Sequence, residues 1–154
     1  MQRNIAQHGF RTAAAFSLIE LVLVMLIIAV VFAIATPRFS QANARQQQAM
    51  AAERLKSDLE LARARARASS QNVTVMFNRS GASYGLSGAG EAFAVELDEA
   101  PYRAQIGHVA FGDAGDEFVT FNAFGIAHAE GRIEINRGHL RQITVRVKAS
   151  GEVE

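Results

Sequence analysis

The chain has 154 residues, of which 49% are hydrophobic and 20% are charged, with two prolines and twelve glycines. This composition excludes an intrinsically disordered chain, and the length predicts one modest domain with an appended segment. The absence of cysteine excludes disulfide bonds, thiolate metal sites and thiol chemistry. The net charge of +1 hides an uneven distribution. Residues 1–71 carry nine basic and four acidic residues, a net charge of +5, whereas residues 72–154 carry seven and eleven, a net charge of −4.

An apolar stretch dominates the N-terminal part of the chain. In residues 18–35 every side chain is apolar except that of Glu20. As a helix these 18 residues extend about 27 Å, which is just enough to cross the hydrocarbon core of a membrane. Arg3 and Arg11 precede the stretch and favour an N-terminus that stays in the cytoplasm.

Three interpretations of this stretch remain open on the residues alone. It can be a simple membrane anchor, or a secretory signal peptide cleaved after Ala35, since Ala33 and Ala35 have the small-x-small spacing of such sites. The third interpretation gives Glu20 a function, because a carboxylate inside a membrane helix is costly and commonly marks a functional site.

The residues around Glu20 carry a specific resemblance. The run FSLIELVLVMLIIAVVFAIATPRF, residues 16–39, closely resembles the N-terminus of type IV prepilins and pseudopilins. The resemblance implies that a prepilin peptidase cuts between Ala15 and Phe16 and that the new amine of Phe16 is methylated. It also implies that Glu20 draws an incoming subunit into register during assembly. The chain departs from the family at Ala15, where the family nearly always has glycine.

Pro37 follows the apolar stretch and predicts a break in the helix, because proline lacks a backbone donor and clashes with the preceding turn. The residues leave open whether the helix ends there or bends and continues, and the resemblance places the helix-loosening proline of many family members at Pro37. The predicted organisation is a leader (1–15), a transmembrane and assembly helix (16–37), an amphipathic helical arm (38–71) and a β-rich globular domain (72–154).

The predicted arm has no glycine or proline between Ser40 and Ala68 and is rich in helix-forming residues. Apolar residues recur there at helical spacing and predict a stripe that packs on the following sheet: Ala51, Leu55, Leu59, Ala62 and Ala66. Arg54 and Asp58 are four residues apart and predict an ion pair on the remaining surface. Near the end of the arm lie Arg63, Arg65 and Arg67. These are either cations that stabilise the C-terminal end of the helix or contacts for a phosphate or an acidic neighbour.

After Ser70 the hydrophobic period changes from helical to two, which is typical of strands. Strands are predicted at residues 73–77, around Tyr84, and at 93–97, 106–111, 118–121, 132–136 and 140–148, with a turn at Arg137 and Gly138. The fold class is therefore α+β, with a long N-terminal helix packed on an antiparallel β-sheet domain.

A second resemblance covers much of the soluble part. The segments LKSDLELARARARASSQNVTVMF and FVTFNAFGIA, with a closing hairpin ending in KASGEV, resemble the minor pseudopilin H family. That family includes type II secretion pseudopilins and FimT-like minor pilins. The resemblance implies a pilin-like fold, a place near the tip of a pseudopilus and a globular domain in the periplasm. The implied partners are other pseudopilins through the N-terminal helix, the prepilin peptidase and the bacterial inner membrane.

The residues do not predict an enzyme, a metal site or a cofactor. The four histidines are scattered and none has a partner at ligand spacing, and no nucleophile lies in a recognisable relation to a base. A weak contact with nucleic acid or a partner is possible through the basic residues of the last hairpin: Arg137, Arg141, Arg146 and Lys148. Nucleic acid is disfavoured, because the net charge of −4 after residue 71 opposes attraction to phosphates.

The predicted function is that of a minor pseudopilin, a structural subunit of a type II secretion pseudopilus. It assembles through its N-terminal helix after peptidase cleavage and N-methylation. One alternative is a FimT-like minor pilin that primes a type IV pilus or takes up DNA. An alternative of another class is a periplasmic binding domain that carries a signal peptide.

Overall fold

The computed structural model describes residues 17–80 and 82–154, with the backbone alone for residues 35–38. The predicted leader and the predicted cleavage pair, Ala15 and Phe16, lie outside the described residues. The described part comprises a helix followed by strands: α1 Leu18–Ser69, β1 Val73–Asn78, β2 Ser83–Ser87, β3 Phe93–Glu96, β4 Gln105–Phe111, β5 Phe118–Phe121, β6 Gly131–Asn136 and β7 Ile143–Val147. The predicted α+β class is confirmed.

Helix α1 continues through Pro37. The backbone of residues 35–38 is helical, so the helix does not end at the proline, and the first of the two alternatives is excluded. Whether Pro37 bends the helix stays a prediction. The chain divides into two compact units, one ending at Phe39 and one spanning Ser40–Glu154. The arm of α1 from Ser40 onward therefore belongs to the same unit as the strands.

The strands form two antiparallel sheets. The four-stranded sheet has the order β3-β2-β1-β5, and the three-stranded sheet has the order β4-β6-β7. In the first sheet, Val75 of β1 lies opposite Leu86 of β2 on one side and Val119 of β5 on the other. Each predicted strand is present. The last one begins only at Ile143, because residues 137–142 form a turn that is longer than the predicted pair of residues.

The core lies between the arm and both sheets. The predicted stripe is confirmed, since all five of its residues are fully buried: Ala51, Leu55, Leu59, Ala62 and Ala66. They share one hydrophobic cluster with alternate residues of the strands, among them Val75 and Ile133. Because burial of one leucine side chain stabilises a fold by about 1.5–3 kcal/mol, this stripe is a main source of the domain's stability.

Two polar side chains of the arm are also buried, Gln48 and Asp58. The Gln48 amide donates hydrogen bonds to the carbonyl oxygens of Ile135 (2.8 Å) and Arg141 (3.0 Å). The Asp58 carboxylate accepts one from Arg54 Nε (2.9 Å) and one from the Tyr84 hydroxyl (2.7 Å). The predicted ion pair between Arg54 and Asp58 is present, but the prediction that it lies on the surface is wrong for Asp58. The Asp58 carboxylate is buried, where it accepts the hydrogen bond from Tyr84.

Candidate assembly surfaces

The N-terminal part of α1 exposes its apolar side chains. An 18-residue window has a mean hydropathy of 3.1 with none of it buried, so by length and composition the helix can cross a membrane. Large side chains such as Leu18, Leu23 and Phe32 are more than half exposed. An apolar surface of this extent marks contact with a membrane or with other proteins.

Glu20 lies in the first turn of α1, where a carboxylate interacts favourably with the positive end of the helix dipole. The turn is closed by the Leu21 N–H, which donates to the Ser17 carbonyl oxygen at 3.1 Å. One turn further along the same face lie Leu23 and Val24, both apolar. Within residues 17–80 and 82–154, no hydrogen bond or ion pair reaches Glu20. A carboxylate within an apolar helix commonly marks a functional site.

The three arginines at the end of the arm donate hydrogen bonds to backbone carbonyl oxygens in loops of the domain. Arg63 donates to the carbonyl oxygens of Gly125 (3.2 Å) and Ser150 (3.1 Å), and Arg67 donates to that of Phe124 (2.9 Å). Arg65 donates to the Glu91 carbonyl oxygen at 3.1 Å. These guanidinium groups act as structural donors, which is a third role beyond the two predicted from the sequence.

The loop held by Arg63 and Arg67 presents exposed apolar side chains. The Asn122 side chain accepts hydrogen bonds from the backbone N–H groups of Phe124 and Ile126, both at 3.0 Å, and orders the turn. Gly125 has a φ of +72°, and the Arg67 side chain packs where a Cβ would stand, so the position requires glycine. Phe124 and Ile126 remain exposed on this ordered turn.

The four basic residues predicted as a weak contact site lie in two places. Arg137 and Arg141 belong to the β6–β7 turn, where Arg137 donates to the carbonyl oxygens of Tyr102 and Arg103 at 2.8 and 2.7 Å. Arg146 and Lys148 line a separate concavity on the outer face of the three-stranded sheet. Lys148 pairs with Glu154 and Glu152, which raises its pKa, while Lys148 lowers the pKa of Glu154. The structure therefore does not bring the four together into one stripe.

No catalytic or metal arrangement stands out in the described part of the chain. Among its residues there is no group of three or more His, Asp or Glu side chains that could hold a metal ion. His128 Nδ1 accepts a hydrogen bond from the Thr120 N–H (3.1 Å), and its ring stacks on Phe118 at 5.1 Å between centroids. Its Nε2 lies 3.6 Å from the Asp116 carboxylate. These contacts hold the β5–β6 connection in place.

Sequence reasoning missed the roles of Gln48 and Tyr84. Gln48 precedes the stripe residue Ala51 by three positions and therefore shares its face, which was the available signal that this amide is buried. Asp58 similarly follows Leu55 by three positions and precedes Ala62 by four. No sequence signal links Asp58 to Tyr84, 26 residues away.

Comparison with known proteins gives two family matches. The model of type II transport protein GspH matches residues 51–151, and that of the prokaryotic N-terminal methylation motif matches residues 7–36. No curated protein sequence matches the chain significantly.

Two solved structures share the fold. The type IV minor pilin FimU of Pseudomonas aeruginosa PAO1 is 17% identical, with a TM-score of 0.56 over 71% of this chain and 88% of FimU. The minor pseudopilin EpsH from the Type 2 Secretion System of Vibrio cholerae is 13% identical, with a TM-score of 0.56 over 70% of this chain and 94% of EpsH.

Proposed function

We propose, because this chain belongs to the family of type II transport protein GspH, that it is a minor pseudopilin, a structural subunit that assembles with other pilin-like subunits. The observation that carries the proposal is the exposed apolar helix, on which Glu20 makes no hydrogen bond or ion pair with any residue that the structure describes. The methylation motif covers that helix as far as residue 36. A subunit of this kind acts by packing its helix among others and needs no active site.

The assembly step follows from the chemistry of the helix. In a bundle of apolar helices, the Glu20 carboxylate is desolvated and is stabilised only by an opposite charge. Peptidase cleavage between Ala15 and Phe16 supplies one, because the new α-amine of Phe16 is positively charged at neutral pH. Pairing of Glu20 with the amine of a neighbouring subunit sets the axial register of the two helices.

The proposed location follows from the same segment. The helix anchors the subunit in the inner membrane by a single pass, with Arg3 and Arg11 on the cytoplasmic side and the sheets in the periplasm. Assembly then moves the subunit from the membrane into a periplasmic pseudopilus of a type II secretion system.

Removal of the Glu20 charge tests this proposal. The variant Glu20→Gln is expected to insert in the membrane, as judged by resistance to carbonate extraction, but to lose co-purification with the other pseudopilins. Loss of one partner of a buried ion pair costs about 3–5 kcal/mol, so recovery of the complex should fall at least about 100-fold. Glu53→Gln, which removes an exposed carboxylate of the arm, is the matched control and should assemble normally. Normal assembly of Glu20→Gln would refute the role of Glu20.

Mass spectrometry of the mature N-terminus tests the processing step. Co-expression with a prepilin peptidase should give a chain that starts at methylated Phe16. A chain that starts at Thr36 would mean a conventional signal peptide and would contradict the proposed anchor.

The alternative of a DNA-uptake minor pilin has less support. Its candidate cations lie in two separate places, and Lys148 is already paired with carboxylates. We expect dissociation constants for double-stranded DNA no better than millimolar at physiological salt. Micromolar binding that weakens steeply with salt would reverse this ranking.

A further inference from the structure

The β6–β7 turn packs against the start of the arm. Gln48 holds the turn through the carbonyl oxygen of Arg141, and two shallow concavities open where the turn meets the helix. Arg45, His139 and Leu140 line both of them, and Ser40 lines the first. This end of the domain therefore includes Ser40, the first residue of the unit that contains the strands.

The charged residues that line these concavities are all basic. They are Arg45, Arg137 and Arg141, accompanied by His139, and among the described residues no Asp or Glu lines either concavity. The side chains of Arg45 and Arg141 are exposed and make no hydrogen bond or ion pair with any residue that the structure describes. Arg137 differs from these two arginines, because it donates hydrogen bonds to the carbonyl oxygens of Tyr102 and Arg103 in the β3–β4 loop. The same loop contains the acidic residues Asp98 and Glu99. We call Arg45, Arg137, His139 and Arg141 the basal basic surface.

Covalent geometry keeps this surface close to the end of the apolar stretch. Arg45 follows Ala35 by ten residues, which in a helix is about 15 Å. The headgroup layer extends about 5–7 Å beyond the hydrocarbon core, and charges interact over a Debye length of about 8 Å at physiological ionic strength. An anchored chain therefore holds Arg45 within electrostatic reach of lipid phosphates.

We propose that the basal basic surface binds the headgroups of anionic phospholipids, with Arg45 and Arg141 as the principal contacts. The surface thereby holds the domain against the membrane until the subunit enters an assembly. The inference rests on the proposed membrane anchor. Charge complementarity favours lipid as the occupant, because the exposed guanidinium groups of Arg45 and Arg141 lie on the part of the domain that follows the proposed anchor. Phosphate is the anion that a membrane presents to them.

Site-directed spin labelling of the full chain tests this inference, since the absence of native cysteine allows a single label at a chosen position. One label at Gln142 reports on the basal basic surface, and a second at Ser87, the exposed last residue of β2, reports on the rest of the domain. The chain is reconstituted into liposomes of phosphatidylcholine alone or with 30% phosphatidylglycerol. Accessibility to a water-soluble nickel complex is then measured at low and high salt.

We expect the Gln142 label to lose accessibility in phosphatidylglycerol liposomes and to regain it at high salt, with the Ser87 label unchanged. Each cation near an anionic surface strengthens contact about fivefold, so the double variant Arg45→Gln/Arg141→Gln should weaken it about 25-fold. Lys56→Gln/Arg132→Gln changes the net charge equally and should leave the contact intact.

The possible failures are distinguishable. Equal accessibility of the Gln142 label in both lipids, or equal behaviour of the two double variants, overturns the lipid contact. A label at Val24 that is accessible to the nickel complex overturns the membrane anchor and the lipid contact together. If the Val24 label is protected from the nickel complex but the accessibility of the Gln142 label does not depend on lipid composition, the lipid contact alone is overturned.

Discussion

Replacement of Tyr84 by phenylalanine removes one oxygen atom from the core and leaves the aromatic ring in place. The lost hydroxyl donates to the Asp58 carboxylate at 2.7 Å. Tyr84 is 1% exposed and Asp58 is 4% exposed, so water cannot readily replace the missing donor. The ring contact with Phe77, 6.2 Å between centroids, does not depend on the hydroxyl. The substitution therefore tests one hydrogen bond and not the packing around it.

The expected loss follows from the nature of this bond. A hydrogen bond to a charged group contributes about 1.5–3 kcal/mol, and a buried charge that loses a donor falls at the upper end of this range. We expect Tyr84→Phe to lower the free energy of unfolding of the domain by about 2–3 kcal/mol. Arg54 remains as a donor to Asp58, which keeps the loss below that of a fully unpaired buried charge.

Pulse proteolysis in urea measures this loss on the full chain in detergent, because unfolding of the domain exposes cleavage sites while the apolar helix stays in the micelle. With a urea dependence of roughly 1–3 kcal/mol per molar, the midpoint should fall by about 1 M or more. Tyr102→Phe is the matched control, since no hydrogen bond of its hydroxyl is seen in the described part, and it should shift the free energy by less than about 0.5 kcal/mol. Equal midpoints for the two variants would refute the assigned role of the Tyr84–Asp58 bond.

Two further predictions concern pH and packing. Burial and the bond to Asp58 raise the pKa of Tyr84, so the folded state keeps this phenol protonated. The unfolded tyrosine ionises near pH 10, so stability should be unaffected by this group below about pH 10 and should fall above it. A melting-temperature series from pH 8 to 11 checks this, and the loss should be smaller in Tyr84→Phe. Leu55→Ala, at a fully buried position, should destabilise the domain by about 2.7–5 kcal/mol in the urea assay. Leu61→Ala, at an exposed position, should cost less than about 1 kcal/mol, and similar losses for both would contradict the assigned core.

The parts of the fold that were predictable depend on local periodicity. The stripe of the arm repeats at helical spacing and is buried as expected, and in β7 the residues Ile143, Val145 and Val147 turn inward while Arg146 stays exposed. Both patterns arise because a buried face selects apolar residues at the period of its element.

The division into two sheets was not predictable, because it depends on pairing between residues far apart in the chain. Strand β5 joins β1 in the four-stranded sheet, whereas β4, which precedes it, pairs with β6. The loop-fastening roles of Arg63 and Arg67 were hidden for a similar reason. Their acceptors are backbone carbonyl oxygens, which every residue carries and which leave no mark in the sequence.

Glu20 was identified from the sequence as the candidate assembly residue, because one carboxylate interrupts an apolar run. Its pairing with the amine of Phe16 stays a prediction, since Phe16 lies outside the described residues. The arginines of the basal basic surface were only partly foreseen. Arg137 and Arg141 were singled out, but Arg45 joins them only through the packing of the turn on the arm.

The buried Gln48 and Asp58 also determine how the arm responds to a mechanical load. An apolar stripe that repeats every turn matches the core almost as well after the helix slides by about 5.4 Å along its axis. The two polar side chains remove this equivalence, because a slide would separate the Gln48 amide from the Ile135 carbonyl oxygen and Asp58 from Tyr84. Tension transmitted along the helix therefore acts on these hydrogen bonds in shear. A fibre subunit pulled through its helix loads these hydrogen bonds together with those that Arg63, Arg65 and Arg67 donate from the arm to loop carbonyl oxygens.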